Sequence, residues 1–221
     1  MKKGLFCVLL LCALTACGQN VDNGISGDVL VMNCTDTEVC SVRINWEDET
    51  LVGQHADGTA LGRNEYLTFD LERVPAAVTA CDIEGTALAS CTITQLTQGR
   101  WGIHLTRDAE GYYVMEAKEV AAPDPGSPFV AGTEQTWRGV VTERCMDQVR
   151  AVDSRWSFLV PSRAVIGIEP ETGEGNCFWE SEYYAFPDDI SLNDYVEIES
   201  AIEKKSGLLV AINIVKLENP E

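Results

Sequence analysis

Catalysis needs groups of matched acidity converging on one place, and this 221-residue chain has two histidines and 35 carboxylates from which to assemble them. His55 sits in a polar stretch between Gly53 and Gly58. His104 lies between Ile103 and Leu105, on the polar side of an alternating run. Neither belongs to a G-x-S-x-G, an H-E-x-x-H or another motif with a known mechanism. Carboxylate pairs occur at Asp108 with Glu110, Glu180 with Glu182 and Asp188 with Asp189. Side chains alternate along a strand, so Glu180 and Glu182 would share a face and Asp188 and Asp189 would not. Asp57-Gly58-Thr59 has the start of a calcium loop but lacks its repeated oxygen ligands and closing Glu. These groups read as turns and solvated edges, and no catalytic residue, metal or cofactor is assigned.

The richest stretch is Cys177-Phe178-Trp179-Glu180-Ser181-Glu182-Tyr183-Tyr184-Ala185-Phe186. As a strand it would point Phe178, Glu180, Glu182 and Tyr184 one way and Trp179, Ser181, Tyr183 and Ala185 the other. One face can enter a core, which leaves Trp179 and Tyr183 as a candidate binding surface. Tyr and Trp concentrate binding energy, and aromatic rings flanked by carboxylates also suit sugars. The plain alternative is cross-strand aromatic packing.

The start of the chain bears on where such a surface would act. Lys2 and Lys3 precede an apolar run from Leu5 to Thr15, which ends at Leu14-Thr15-Ala16-Cys17. The run is too short to cross a hydrocarbon core roughly 30 Å thick. Its layout is that of a removable export signal. Leu14, Thr15, Ala16 and Cys17 resemble the lipobox of bacterial lipoproteins. That resemblance implies cleavage before Cys17, lipid on its thiol and an acylated amine. Gly18 then implies outer-membrane placement in a Gram-negative host, facing either the periplasm or the surface. Several acyl chains anchor firmly where one holds marginally.

Without residues 1–16 the chain keeps 14 basic and 35 acidic residues, a formal charge of −21. Nucleic-acid affinity rests largely on neutralising phosphates, so nucleic acid is excluded as a partner. Cys34, Cys40, Cys81, Cys91, Cys145 and Cys177 remain for pairing. In an exported chain these read as disulfides. The favoured pairs are Cys34 with Cys40, Cys81 with Cys91 and Cys145 with Cys177.

The elements that must position these groups read as strands throughout. Residues 17–28 form a polar, lipidated tether. Val29 to Met32 is a continuous apolar run, whereas Val42, Ile44 and Trp46 alternate with polar neighbours, as do Leu67 and Phe69, and Trp101, Ile103 and Leu105. Glu47 to Asn64 reads as a loop or an edge hairpin, and Val78 to Ile83 and Cys91 to Leu96 flank a turn at Glu84-Gly85-Thr86. This predicts a small β-sandwich over 29–120 with a core of Val31, Val42, Ile44, Trp46, Leu67, Phe69, Val78, Ile93, Trp101, Ile103 and Val114. Pro123, Pro125 and Pro128 mark a spacer over 121–130, since proline fixes φ and removes a donor.

The second half, 131–221, offers Thr136-Trp137-Arg138-Gly139-Val140-Val141, then Asn193-Asp194-Tyr195-Val196-Glu197-Ile198-Glu199. It closes with Leu208, Val210, Ile212 and Ile214 on one strand face; Glu143 to Val152 has the spacing of a short helix. This order resembles small OB-like β-barrel domains of exported bacterial proteins. The expected fold class is all-β, a sandwich followed by an OB-like barrel. The expected role is a non-catalytic binding or structural module of the envelope, held by its N-terminal lipid and meeting an envelope protein or a polysaccharide. The alternative is a carbohydrate-binding protein or an acidic-residue glycoside hydrolase.

Overall fold

In a computed structural model of the chain, residues 28–96, 99–121, 124–147, 163–170 and 175–219 are described. The expected signal, the expected lipid site at Cys17 and most of the expected tether lie outside them. Their strands are β1 (Val29–Asn33), β2 (Ser41–Asn45), β3 (Thr50–Gly53), β4 (Tyr66–Phe69), β5 (Ala77–Cys81), β6 (Ala87–Cys91), β7 (Arg100–Arg107) and β8 (Tyr113–Val120). Then follow β9 (Gln135–Asp147), β10 (Arg163–Pro170), β11 (Asn176–Trp179), β12 (Tyr195–Ile202) and β13 (Leu209–Lys216). The fold is all-β. Sheets ordered β4-β1-β7-β8 and β3-β2-β5-β6 make the sandwich. The remaining five strands close a barrel in the order β9-β10-β11-β13-β12, with β11 and β13 parallel. Numbered within the barrel, that order is 1-2-3-5-4, the OB arrangement. The expected helix at Glu143 to Val152 is replaced by β9 as far as Asp147, and the rest of that stretch lies outside the described residues.

The continuous apolar run of β1 has a structural cause. Every residue of the strand is buried, because it lies between two cores. Val29 and Val31 join Val42, Ile44, Val78, Ile103 and Leu105 inside the sandwich. Leu30, Met32 and Cys34 point the other way and join Val141, Ile166, Phe178, Ile198 and Ile214 of the barrel in one cluster. A half-exposed strand alternates, whereas one covered on both faces does not.

The proline-rich stretch packs against the barrel. Val130 donates its N–H to the Ile202 carbonyl at 2.9 Å, Lys204 donates its own to the Pro128 carbonyl at 2.8 Å, and Phe129 bridges Glu203. The chain then crosses to the sandwich, where Arg100 Nη1 donates to the Ala131 carbonyl at 3.0 Å and His104 Nε2 lies 2.9 Å from the Gly132 carbonyl. Gly102 and Gly132 make this approach possible. A Cβ on Gly102 would stand 2.5 Å from the Gly132 oxygen, and Gly132 itself has φ of +93°. Gly102→Ala is therefore expected to cost about 1–3 kcal/mol, the usual penalty of overpacking. Urea unfolding measures it directly.

Four expectations are corrected by register. Among the described residues no disulfide joins any two cysteines. Cys91 lies opposite Val78 and Cys81 opposite Ala87, so these two are separated along the strands. Cys145 and Cys177 pair with Val165 and Gly167 on opposite sides of β10, more than two strand spacings (~9–10 Å) apart, beyond the ~7 Å Cα limit of a disulfide. Cys34 is buried in the barrel-side cluster, whereas Cys40 donates its N–H to the Cys81 carbonyl. Burial pushes the Cys34 thiol up to about 12 and that of Cys91 up to about 11, which leaves both as core side chains rather than nucleophiles.

The second correction is at β8, where Met115 and not Val114 faces the core, because the Asp108 turn takes in Tyr112. The third is at β13, where a bulge opposite Glu199 and Ser200 shifts the alternation. Leu209 and Ala211 join Ile214, which keeps its expected place, in the barrel cluster, while Leu208 and Ile212 are only half-buried and Val210 is fully buried outside that cluster. The fourth is at β6, which occupies Ala87–Cys91 instead of Cys91 to Leu96, leaving Ile93 buried beyond the strand's end.

Candidate functional site

The stretch Cys177 to Phe186 is strand only as far as Trp179. Glu180 makes one more ladder bond, from its N–H to the Ala164 carbonyl at 2.8 Å, and the chain then turns, with the Ser181 N–H donating to the Tyr184 carbonyl at 3.2 Å. Two side chains hold the turn: Glu180 Oε1 accepts from the Phe186 N–H at 3.0 Å and Ser181 Oγ from the Tyr183 N–H at 3.2 Å. Phe178 enters the barrel and meets Trp137 edge-on, with ring centroids 5.6 Å apart. The Tyr184 hydroxyl accepts the Ile214 N–H at 2.8 Å. Phe178 thus points inward as strand alternation expects; Tyr184, beyond the turn, packs partly buried against the barrel cluster, and Glu180 and Glu182 are taken up by the turn.

Trp179 and Tyr183 therefore occupy different elements. Trp179 sits between Val165 and Val210 in the barrel wall; it is half-buried, and its indole Nε1 is buried without an acceptor. Tyr183 projects from the turn, 62% exposed, held edge-on against Phe129 with centroids 5.9 Å apart. The pair fixes an aromatic ring at the surface where a lone tyrosine would sample several rotamers.

A chain of charges continues from this ring. Glu182 accepts from Lys205 Nζ and lies 3.9 Å from Arg163 Nη2. Arg163 Nη1 donates to Glu203 Oε2 at 2.8 Å, and Ser206 Oγ to the same oxygen at 2.6 Å. Glu203 is only 1% exposed, and its Oε1 is buried without a partner. Lys205 holds the Glu182 carboxyl below the usual carboxylate range, and Glu182 in turn raises Lys205. In an OB barrel, ligands meet the face of the second and third strands and the loops joining strands one to two and four to five. Here the second and third strands are β10 and β11, and the four-to-five loop holds Glu203, Lys204, Lys205 and Ser206. Arg163 opens β10, Trp179 closes β11, and Tyr183 follows it. These residues gather at one end of the barrel.

The other candidates have local roles. Asp57 Oδ1 accepts from the N–H and hydroxyl of Thr59, and Asp108 Oδ1 accepts from the N–H groups of Glu110 and Tyr112. His55 is bonded to Thr59 in its own loop, and His104 lies in the seam between the halves. Among the described residues no three His, Cys, Asp or Glu side chains group as a metal site. An open depression of about 450 Å³, lined by Val140, Glu169, Pro170, Asn193 and Tyr195, lies on the barrel flank.

Phe129, Arg163, Glu203 and Ser206 were not singled out by sequence reasoning. Glu203 stands beside Lys204-Lys205-Ser206-Gly207, which reads as an exposed turn, and nothing in the pattern marks its burial. Compared with family models, curated proteins and solved structures, the chain matches none.

Proposed function

We propose that this chain is a lipid-anchored lipoprotein of the bacterial outer membrane and acts there as a non-catalytic binding module, with the end of its barrel as the contact surface. The anchor reading rests on Leu14-Thr15-Ala16-Cys17, with Cys17 as the acylated residue. The observation that carries the binding reading is Tyr183, an exposed aromatic braced by Phe129 and bordered by the Glu182–Lys205 pair. A ring already ordered costs little further entropy on association, and this favours a surface built for contact. The partner is an envelope protein.

A second reading, binding of a polysaccharide, is favoured by the same ring next to charged hydrogen-bonding groups. Fold alone does not select between them. A pull-down with cell-wall and capsular polysaccharides separates the two readings: retention that is lost in Tyr183→Ala supports the saccharide. Tyr183→Ala is expected to leave the fold intact, with a stability change of about 1 kcal/mol or less, because only the edge contact to Phe129 is removed.

A further inference from the structure

Of the six cysteines among the described residues, two stand across one ladder from each other. β2 and β5 run antiparallel with Ser41 opposite Cys81, and the Cys40 N–H donates to the Cys81 carbonyl at 2.9 Å. Two residues of one strand thus face one residue of the other, the count of a β-bulge. Side-chain alternation breaks at the same place. Val39 and Val42 both enter the sandwich core, and neither Cys40 nor Cys81 belongs to it, which leaves both thiols on the other face of the sheet. Residues opposed across an antiparallel ladder have Cα atoms about 4.5–5.5 Å apart, inside the range of about 4.4–6.8 Å that a disulfide spans. Cys34 and Cys91 are placed elsewhere, the first in the barrel-side cluster and the second against the sandwich core.

We propose that Cys40 and Cys81 are an oxidisable pair that closes to a disulfide and staples β2 to β5. Cys40 is half-buried and Cys81 fully buried, so Cys40 is the thiol that meets the oxidant, an external disulfide. The Cys40 thiol gives its proton to solvent, and its sulfur attacks one sulfur of the donor, whose S–S bond breaks and releases the first thiol. The Cys81 sulfur, its proton lost in the same way, then attacks Cys40 Sγ and releases the second. Two protein thiols are oxidised to one disulfide, and the donor disulfide is reduced to two thiols. Export, as proposed from the start of the chain, supplies the compartment in which such donors persist. The pairing itself rests on register, and on neither the anchor nor the Tyr183 surface.

The test supplies its own donor, oxidised glutathione, to the purified full-length protein, so its outcome is separate from that of the anchor and contact readings. Remaining thiols are alkylated in denaturant, and the chain is cleaved after glutamate, which parts Cys34 from Cys40 at Glu38 and Cys81 from Cys91 at Glu84. The expected product is a linked species joining peptide 39–47 to peptide 73–84, with Cys34 and Cys91 alkylated. Reduction should then lower the thermal midpoint by roughly 5–15 °C, and Cys40→Ser should lose both the link and this response. Cys40 and Cys81 both alkylated after the treatment, or Cys40 joined to any cysteine other than Cys81, would overturn the pair. The peptide map is read on the wild type, whether or not the variant folds.

Discussion

Met32→Asp is expected to unfold both halves of the molecule together. Met32 is fully buried and belongs to the cluster that joins β1 to the barrel interior, where Gln135 Nε2 donates to its sulfur at 3.4 Å. A carboxylate there has no cation to pair with in the cluster. The cost, about 4 kcal/mol or more, is a large part of the stability of a domain this size. The sandwich loses with the barrel because Val31, next in the chain, anchors the other core. Near-ultraviolet circular dichroism reports Trp46 and Trp101 in the sandwich and Trp137 in the barrel, so both signals should fall in one transition. Ile83→Asp is the control: Ile83 is 81% exposed at a turn tip, and the change should stay within about 0.5 kcal/mol.

The second large effect is expected at the ion pair beside the Tyr183 turn. Arg163→Ala removes the cation from Glu203 Oε2 and leaves the buried carboxylate with Ser206 alone. Breaking a buried pair from one side costs about 3–5 kcal/mol, because the remaining charge is stranded. For about 200 residues that lowers the thermal midpoint by roughly 10 °C. Replacing both, Arg163→Met with Glu203→Gln, removes the stranded charge and should recover most of the loss. A double-mutant cycle by calorimetry measures the difference. Arg163→Ala also frees Glu182 of one neighbour and the Glu180 carbonyl of a 3.4 Å bond, so the Tyr183 turn should loosen with it.

The strand content of this chain was legible wherever one face met a core and the other met water. Val42 and Ile44, and Val196 with Ile198, alternate and are buried as their spacing implies. The Val29 to Met32 run was legible as an apolar strand, but not that its second face belongs to the other half of the chain. Residues 121–130 carry the composition of a spacer, yet Val130 is a core residue, because main-chain pairing with β12 depends on no side-chain pattern. Bulges defeated the period of two at β13, and the turn at Asp108 defeated it at β8. Cysteine parity suggested pairs, but pairing is a matter of register, which the count does not carry.

For the site, aromatic richness at Trp179 and Tyr183 drew attention to the end of the barrel where Arg163 and Glu203 also meet. Which ring is presented could not be read from the stretch, since the outcome depends on Glu180 and Ser181 capping a turn in place of continuing the strand. Arg163 and Glu203 lie 40 residues apart, and only barrel closure brings them together.

The proposed barrel-end contact surface is tested most directly in living cells, with a photo-crosslinking side chain at position 183 of the full-length protein and, as comparison, at position 112. Tyr112 is 71% exposed on a sandwich turn, so both probes are accessible. The expected result is a discrete crosslinked envelope species from position 183 that is absent from position 112 and diminished when Cys17→Ser removes the anchor. Equal labelling from both positions, or none from 183 with the anchor intact, would contradict it.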